Sequence, residues 1–474
     1  MEAGSKKRLW LSIVMVFLIS SSVFSFFKYY NRKLDGDIVN IVLPIDSYRP
    51  VLNDPLAIQA VFRHQSYSGT NRWFCHQSMR FIFLKVYKAV TIVCKDKVKA
   101  LYLCNTIGFL ASHVLLLVAM SLYVVSFRTS GFVRFLFAAA FLTPFFHMHE
   151  NMNLMDPNIT YVVFYTFPLS LILFFFYPFY KYLITGEASF FSSGLNLTVW
   201  AVLGFCNAFS SSSNPVIGSA FGVLIIGSVI FEHYTKKENK VPGTSIRNML
   251  ILISLFVLLC SYSYYAGTFN NENNHDHSLG ELYTIFFANF LKFFGSFQFV
   301  LMYLYIGLGL FFVREVKLSR EEDKQFTALK IILAACLLYV LLLPIGGYRS
   351  YRPMILRSDI TMPFSAAMIL FTSFLSILLL SRLGNKSKKI FTFITLVILS
   401  IFYFSDVKIS KEHALEKRYL NIIQQHKSRE PLVLPSNTSI LSWKNIEIED
   451  QYHNIALMLY QWGITDTVRP YTQQ

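Results

Sequence analysis

Long runs of apolar residues, separated by short polar connections, dominate the chain. Each run covers about 17 to 25 residues, the length that an α-helix needs to cross the hydrocarbon core of a bilayer. A transmembrane barrel would instead show alternating segments of about ten residues. The pattern predicts an all-α polytopic membrane protein with about eleven transmembrane helices. The predicted spans are 9–27, 104–127, 132–147, 158–180, 194–210, 214–231, 248–266, 294–313, 327–344, 362–381 and 389–404.

Basic residues orient these spans, because Lys and Arg collect on the cytoplasmic side of a membrane. The predicted inside segments carry 19 Lys and Arg residues, whereas the four short outside loops carry three. Lys6, Lys7 and Arg8 precede the first apolar run, which we interpret as an uncleaved span because it is long and has no small-x-small cleavage site. The amino terminus is therefore predicted inside, and an odd number of spans places the tail from Ser405 outside.

Two regions follow from this topology. A transmembrane domain covers 1–404 and includes a long outside loop at 28–103, and a small outside α/β segment covers 405–474. With about 70 residues the tail has little core of its own, so we expect it to pack on the first loop. Its predicted elements are a helix at 412–426, short strands or loop at 431–448 and a helix at 452–462 that ends at Gly463.

Composition agrees with a lipid environment and limits the function classes. The 474 residues are 54% hydrophobic with 47 Phe, and the net charge of +16 reflects mainly the basic inside segments. No basic stripe interleaved with aromatics suggests nucleic-acid binding. The six Cys show no metal or redox spacing, and Cys75 and Cys94 either form an outside disulfide or remain isolated thiols. Gly218 and Gly222 are spaced for close helix packing. No cofactor is predicted.

The first outside loop contains an acidic residue with two interpretations. Asp54 precedes an amphipathic stretch that ends at His64, and it is suited to cap that helix with Pro55 at the first helical position. It is also a candidate catalytic carboxylate on the outside face. Further along, the Arg80–Lys88 stretch mixes basic and aromatic residues, as helices on a bilayer surface do.

A second polar region lies between His147 and Asp156. It holds two His and two carboxylates in ten residues, including His149 and Glu150. Three readings remain open: substrate contact at the outer rim, a metal site, or plain solvation of a loop. Like Asp54, Glu150 and Asp156 are acids in a predicted outside region, so they are further candidate carboxylates.

The third polar region breaks the charge rule that the other short outside loops obey. Arg349, Arg352 and Arg357 cluster in one predicted outside loop. Guanidinium groups bind phosphate in a bidentate manner, so this loop is suited to a lipid phosphate. The alternatives are contact with headgroups and an ion pair with Asp359.

Several short motifs share a characteristic order along the chain. They are Asn53-Asp54 in the long first loop, the series Asp156, Tyr161, Tyr165 and Pro168 entering a span, the polar break at Asn207 and Asn214-Pro215, the late Arg loop, and the tail segment 454–464. In this order the chain resembles the GT-C superfamily of polytopic glycosyltransferases, particularly bacterial enzymes that modify lipopolysaccharide O-antigen. The resemblance covers nearly the whole chain, although Asn53 stands where the family often has a second acid.

The resemblance implies transfer of a hexose, such as glucose, from a polyprenyl-phosphate donor to a glycan acceptor at the periplasmic face of the bacterial inner membrane. A flippase and a lipid-phosphate glucosyltransferase would supply the donor. A carboxylate would deprotonate the acceptor hydroxyl and Arg would stabilise the departing phosphate. The expected catalytic residue is Asp54, with Asp46, Glu150 and Asp156 in reserve. The expected phosphate-binding residues are Arg349, Arg352 and Arg357, and the expected substrate contacts are Arg72, Trp73, His149, Tyr161 and Tyr165.

Two other functions fit a many-span chain with outside Arg residues. An O-antigen polymerase would use similar loops, but it would lengthen the glycan instead of adding one sugar per repeat. A flippase or transporter of lipid-linked oligosaccharides would need charges along a membrane path, and the predicted spans have few ionisable residues at their centres. A nucleotide-sugar donor is disfavoured, because the inside loops are short and have no Gly-rich phosphate loop.

Overall fold

The protein is an assembly of membrane-length helices joined by shorter helices and loops. The computed structural model describes residues 2–44, 46, 48–125, 131–235, 243–273, 276–346, 348–349, 352–406, 411–426, 432–434, 439–443, 449–468 and 471–473. Over these residues the structure is almost entirely helical, which confirms the predicted all-α polytopic class.

Eight helices in the described residues are long and apolar enough to cross a membrane. They are α1 (Glu2–Tyr30), α7 (Lys97–Val124), the continuous pair α9 and α10 (Ile159–Tyr161 and Phe167–Thr185, joined by a π-helical turn), α12 (Ser213–Thr235), α13 (Gly243–Gly267), α16 (Arg320–Leu341), α17 (Ser358–Arg382) and α18 (Asn385–Phe404). A ninth candidate span is the pair α14 (Leu279–Phe294) and α15 (Phe297–Val313), which is bent by 71° at Gly295 and Ser296.

The predicted count of eleven spans is not met. In the described residues each predicted span has a helix at its position, but two of these helices are too short, and a third, α15, is long enough only together with α14. Helix α8 (Phe132–Leu142) continues only through a 3-10 turn to Phe146, and α11 spans Gly194–Ala208. A 15-residue helix is about 22 Å long, which is less than the hydrocarbon thickness. Hydropathy detects apolar runs but not where the helix ends.

Helix α17 is the centre of the bundle, and most of its length is buried. It contacts α16, α15, α7 and α18. With 25 residues it is about 37 Å long, so its two ends mark opposite ends of the bundle. At one end Arg382 donates to Glu322, and at the other Arg357 pairs with Asp359.

The predicted inside and outside segments separate to these two ends. At the Arg382 end, Lys324 donates to the carbonyl oxygens of Leu183 and Ile184 and pairs with Glu232. At the other end, the segment after α1, the start of α9, and the loops before α14 and α17 all meet. The described contacts thus place members of each predicted set at one end, and which end faces the cytoplasm stays a prediction.

Short helices fill the first outside loop. They are α2 (Asp37–Val42), α3 (Arg49–Asn53), α4 (Ile58–Arg63), α5 (Trp73–Arg80) and α6 (Tyr87–Val93), with a π-helical segment Phe81–Val86 between the last two. Phe81 is an exposed apolar residue on the predicted surface-lying stretch, and Ile92 and Val93, at the end of α6 that follows it, are exposed as well. Cys75 and Cys94 are both free, as the isolated-thiol reading requires.

The C-terminal segment packs on this loop, as its small size led us to expect. It contains α19 (Glu412–Gln425), α20 (Glu449–Gln461) and a parallel pair of three-residue strands, β1 (Leu432–Leu434) and β2 (Tyr471–Gln473). Gly463 follows α20 with a φ of +65°, consistent with the predicted helix end. Trp462 donates from its indole nitrogen to the carbonyl oxygen of Phe83 and accepts from the Tyr87 hydroxyl.

Candidate active site

The segment Asp35-Gly36-Asp37 links α1 to the first loop and is anchored by its first carboxylate. Asp35 accepts hydrogen bonds from both the backbone N–H and the hydroxyl of Thr160, at 2.9 and 2.8 Å. It also accepts from the backbone N–H of Asp37 at 3.1 Å. Burial, reinforced by the charge of Asp37, raises the pKa of Asp35 to about 7. Asp35 therefore fixes the start of α2 against α9.

Asp37, the first residue of α2, borders a polar cavity. Its carboxylate accepts a hydrogen bond of 2.9 Å from the indole nitrogen of Trp443, which comes from the C-terminal segment. Burial raises the pKa of Asp37, while the bond from Trp443 and the charge of Arg352 act in the opposite direction. A carboxyl with a raised pKa in a cleft is a candidate general base.

The polar cavity encloses about 190 Å³ at the end of the bundle where the predicted outside loops meet. Side chains of both charges line it, together with aromatic hydroxyls. The lining comprises Asp37, Ile41, Tyr48, Gly69, Arg72, His76, Thr160, Tyr161, Phe164, Tyr165, Glu272, Arg349 and Arg352. Concave sites with a few convergent polar groups are the usual form of substrate sites.

Two arginines of the late loop are held at this cavity. Arg352 donates to the Tyr161 hydroxyl at 2.6 Å, and its guanidinium lies 5.3 Å from the centre of the same ring. Arg349 forms an ion pair of 2.7 Å with Glu272, and both side chains are mostly buried. The two guanidinium groups therefore reach the cavity in defined positions, ready to bind an anion.

A second cavity of about 270 Å³ shares Arg72, Tyr165, Arg349 and Arg352 with the first. We call it the amphipathic cavity, because one wall is polar and the other is made of apolar residues near the ends of the membrane helices. Its polar wall adds Asn71, Asn270, Asn273 and Arg357, and its apolar wall includes Val216, Leu342, Leu343, Ile345, Met354 and Ile355. An anion attached to an apolar chain matches both walls.

His76 is a buried residue in the lining of the polar cavity. The imidazole is only 2% exposed, and its Nδ1 finds no hydrogen-bond partner among the described residues. Burial, with the charge of Arg72, lowers the pKa of His76 to about 3, so the ring is neutral at pH 7. Gly69 makes room for it: its φ is +74°, and a Cβ there would lie 3.0 Å from His76 Nε2.

Asp54, the expected catalytic carboxylate, makes the hydrogen bonds of its alternative interpretation as a helix cap. Its oxygens accept from the backbone N–H groups of Ile58 and Gln59 at 2.7 and 2.8 Å, and from the Tyr67 hydroxyl at 2.8 Å. The residue is 5% exposed and lies outside the described lining of both cavities. The helix begins at Ile58, later than the sequence suggested.

The region from His147 to Asp156 builds a structural junction. Asp406 accepts from Lys28, from His147 at 3.0 Å and from the backbone N–H of Met148 at 3.0 Å. Although burial alone would raise it, His147 and Lys28 lower the pKa of Asp406 to about 2. His149 is buried against Phe402.

The reserve carboxylates of this region are also away from the described cavity linings. Glu150 is exposed at the surface. Asp156 is mostly buried and accepts from the backbone and side-chain nitrogens of Asn158, at 2.9 and 3.0 Å. Burial raises the pKa of Asp156 to about 7. In the described parts of the chain, no group of three His, Cys, Asp or Glu residues is placed to hold a metal ion.

The structure thus brings together some of the expected site residues and not others. Arg72, Arg349, Arg352, Tyr161 and Tyr165 border the polar cavity, and Arg357 borders the amphipathic cavity while paired with Asp359. Trp73 packs on Phe205, and His149 belongs to the junction around Asp406.

Sequence reasoning missed Asp37, Glu272, His76, Tyr48 and Trp443. A signal existed for Asp37, because two acids one residue apart follow the first span directly. The sequence indicates Glu272 less clearly than Asp37. Its one distinguishing feature is that it is an acid within a run of four Asn residues. His76 and Trp443 gave no signal, since only folding brings them to the cavity.

No protein-family model matches this chain, and a search of curated proteins found no match. Its function is therefore inferred from the chemistry of the two cavities.

Proposed function

We propose that this protein is a membrane glycosyltransferase of the GT-C kind, which moves a sugar from a polyprenyl-phosphate donor to a glycan acceptor at the outer face of the membrane. The observation that carries the proposal is the pair of adjoining cavities. A carboxylate with a raised pKa borders one of them, three arginines border both, and apolar residues at the ends of membrane helices border the other.

The donor phosphate fits best between the two cavities, beside Arg349 and Arg352. Arg72 borders the same place, so three guanidinium groups are available to one phosphate. In the free protein Glu272 balances Arg349, and a bound phosphate would compete for that partner. The lipid chain would leave along the apolar wall of the amphipathic cavity toward the bilayer.

Asp37 replaces Asp54 as the proposed general base. In the reaction the acceptor hydroxyl oxygen bonds to the anomeric carbon and gives its proton to Asp37. The bond from the anomeric carbon to the phosphate oxygen breaks, and its electron pair stays on the phosphate. The arginines stabilise that added charge, which is larger in the transition state than in the bound donor.

Asp54 is unsuited to this role because its hydrogen-bonding capacity is already used. Both oxygens are held by the helix start and by Tyr67. A base must instead reach the proton that it removes, directly or through one water. Asp37 accepts a side-chain hydrogen bond from Trp443 on one oxygen, and it borders the cavity.

The test compares surface glycans by mass spectrometry in cells that express the wild-type chain, Asp37→Asn or Asp46→Asn at matched membrane levels. Asp46 is the control because it is an exposed acid of the same loop, paired with Arg49 at the surface. The wild type and Asp46→Asn should add one hexose per repeat. Loss of a general base should slow transfer in Asp37→Asn by about 10²- to 10⁴-fold.

Three results would contradict the proposal. Glycan ladders of increased length would identify a polymerase. An unchanged glycan with intact wild-type protein would favour a flippase or transporter. A hexose added equally by Asp37→Asn would exclude Asp37 as the base and return attention to Asp54, Glu150 and Asp156.

A further inference from the structure

Trp443 is an aromatic residue that the C-terminal segment delivers to the rim of the polar cavity. Its indole nitrogen donates to Asp37, and its ring centre lies 6.2 Å from that of Tyr161, at an angle of 40°. The side chain is nevertheless half exposed, at 48%. A large aromatic surface therefore stands open beside the proposed base, at the end of the bundle where the outside loops meet.

The position of this indole is fixed by backbone contacts. A Cβ on Gly36 would lie 2.6 Å from the backbone nitrogen of Trp443 and 2.8 Å from the carbonyl carbon of Ser442. Such distances are shorter than van der Waals contact, so only glycine allows the tail to lie against the segment that carries Asp37. The indole and the carboxylate are thus positioned relative to each other by direct main-chain packing.

A buried carboxylate of the tail holds both partners of this contact. Glu416 of α19 accepts from the backbone N–H groups of Leu34 at 2.9 Å and Leu441 at 3.2 Å. The Tyr102 hydroxyl of α7 donates to the same side chain at 2.9 Å. One side chain therefore ties the segment before Asp37, the segment before Trp443 and a membrane helix into a single unit.

The chemistry of an exposed indole at a polar cavity suits a sugar ring. One face of a pyranose presents C–H groups with partial positive charge, and the face of an aromatic ring is negative. The hydroxyl groups around that ring need donors and acceptors, which His76, Tyr48 and Glu272 offer across the cavity. An isolated exposed Trp would need no explanation, but this one is tethered to the proposed base.

We infer that Trp443 is the platform on which the acceptor sugar stacks, and that its bond to Asp37 keeps the stacked sugar's hydroxyl beside the base. This inference rests on the proposed function for the identity of Asp37 as base. It makes the C-terminal segment a determinant of acceptor selectivity, because the segment supplies the surface that the acceptor contacts. Trp443 touches the substrate through its ring face and positions Asp37 through its N–H group.

Two substitutions separate these roles. Trp443→Phe keeps an aromatic face but removes the N–H donor, whereas Trp443→Ala removes both. Tyr460→Ala is the control, because Tyr460 is another exposed aromatic residue of the tail, on α20. If the sugar stacks on the ring, Trp443→Ala should raise the KM for acceptor about tenfold and Trp443→Phe should restore most of the affinity, whereas kcat should fall in both variants because both lose the N–H bond to Asp37.

Binding is measured separately from transfer, by saturation-transfer NMR on the purified full-length protein. The probes are the methyl glycosides of glucose, galactose, rhamnose and N-acetylglucosamine. For at least one probe, the wild type, Trp443→Phe and Tyr460→Ala should saturate the protons of one ring face, and Trp443→Ala should lose about tenfold in signal-derived affinity. Equal binding by Trp443→Ala, or no binding of any probe to the wild type, would overturn the inference.

The two proposals fail in different ways. If the wild type transfers a hexose but Trp443→Ala keeps its acceptor KM, the platform is wrong and the transferase stands. If the wild type transfers nothing yet binds a glycoside through Trp443, the platform stands and the chain is a carbohydrate-binding membrane protein of another class. An equal loss of acceptor affinity in Trp443→Phe and Trp443→Ala would leave Trp443 only as a positioning residue for Asp37 and would also overturn the platform.

Discussion

Asp37 combines two properties of a general base, access to a cavity and a pKa raised above its ordinary value. Burial provides the second property, and Trp443 and Arg352 limit its extent. The neighbouring Asp35 has a similar chemistry but a different role, because Thr160 uses both of its oxygens. Of these two acids, Asp35 is thus an anchor and Asp37 is the proposed base.

The pH dependence of transfer tests this assignment. Asp37 must be deprotonated to accept a proton, so kcat/KM should rise with pH through the raised pKa of Asp37 and then level off. Trp443→Phe removes a hydrogen bond that lowers this pKa, so the rise should move to higher pH. Rates are measured from pH 4 to pH 9 with Tyr460→Ala as control. A rise at the same pH in Trp443→Phe would show that the titrating group is not Asp37.

The sequence pointed to several site residues but not to the base. Three Arg residues in a predicted outside loop depart from the rule that basic residues collect on the cytoplasmic side, and all three border the cavities. The resemblance indicates Asp54 as the base, because its place in the first loop matches that of the family's acid. The hydrogen bonds from the backbone support the alternative interpretation, in which Asp54 caps a helix. Hydrogen-bond competition of this kind depends on three-dimensional contacts, so sequence alone leaves both readings open.

At the scale of elements, α12 and α13 illustrate what a local pattern does predict. Gly218 and Gly222 face α13 directly: a Cβ on Gly218 would lie 2.7 Å from Cys260 Sγ, and one on Gly222 would overlap the Val257 side chain. The predicted small-residue packing is therefore confirmed. Helix ends were harder to predict, since the apolar runs at α8 and α11 exceed what those helices use.

Substitution of Gly222 should weaken this helix pair. Gly222→Ala adds a methyl group against Val257 and should destabilise the protein by about 1–3 kcal/mol, as overpacking does. Gly227→Ala is the matched control, because it lies on the same helix with no heavy atom within 4 Å of its Cβ position. Thermal unfolding in detergent compares the two. A melting temperature lowered equally in both variants would contradict close packing as the cause.

At the scale of the whole molecule, the two ends of the bundle carry different chemistry. One end gathers basic side chains around Lys324 and Arg382, as the distribution of Lys and Arg predicts. The other end combines the first loop, the late Arg loop and the C-terminal segment around the two cavities. The sequence predicted these segments separately, and folding joins them because the tail needs the first loop to complete its core.

A further cavity of about 140 Å³ lies among α10, α12, α16 and α17, with a lining that is almost wholly apolar. Leu169, Ile172 and Phe176 line it from α10. This cavity is consistent with a donor whose lipid remains in the bilayer. It gives no preference between different sugars.

The most direct test of the central claim is transfer by the purified protein in liposomes. Labelled polyprenyl-phosphate glucose, galactose and mannose are offered one at a time with an O-antigen acceptor, and the corresponding nucleotide sugars are offered in parallel. We predict that label from one lipid-linked sugar moves to the acceptor with release of polyprenyl phosphate, and that the nucleotide sugars are not used. Lipid-linked sugars left unconsumed, or equal transfer from a nucleotide sugar, would contradict the account.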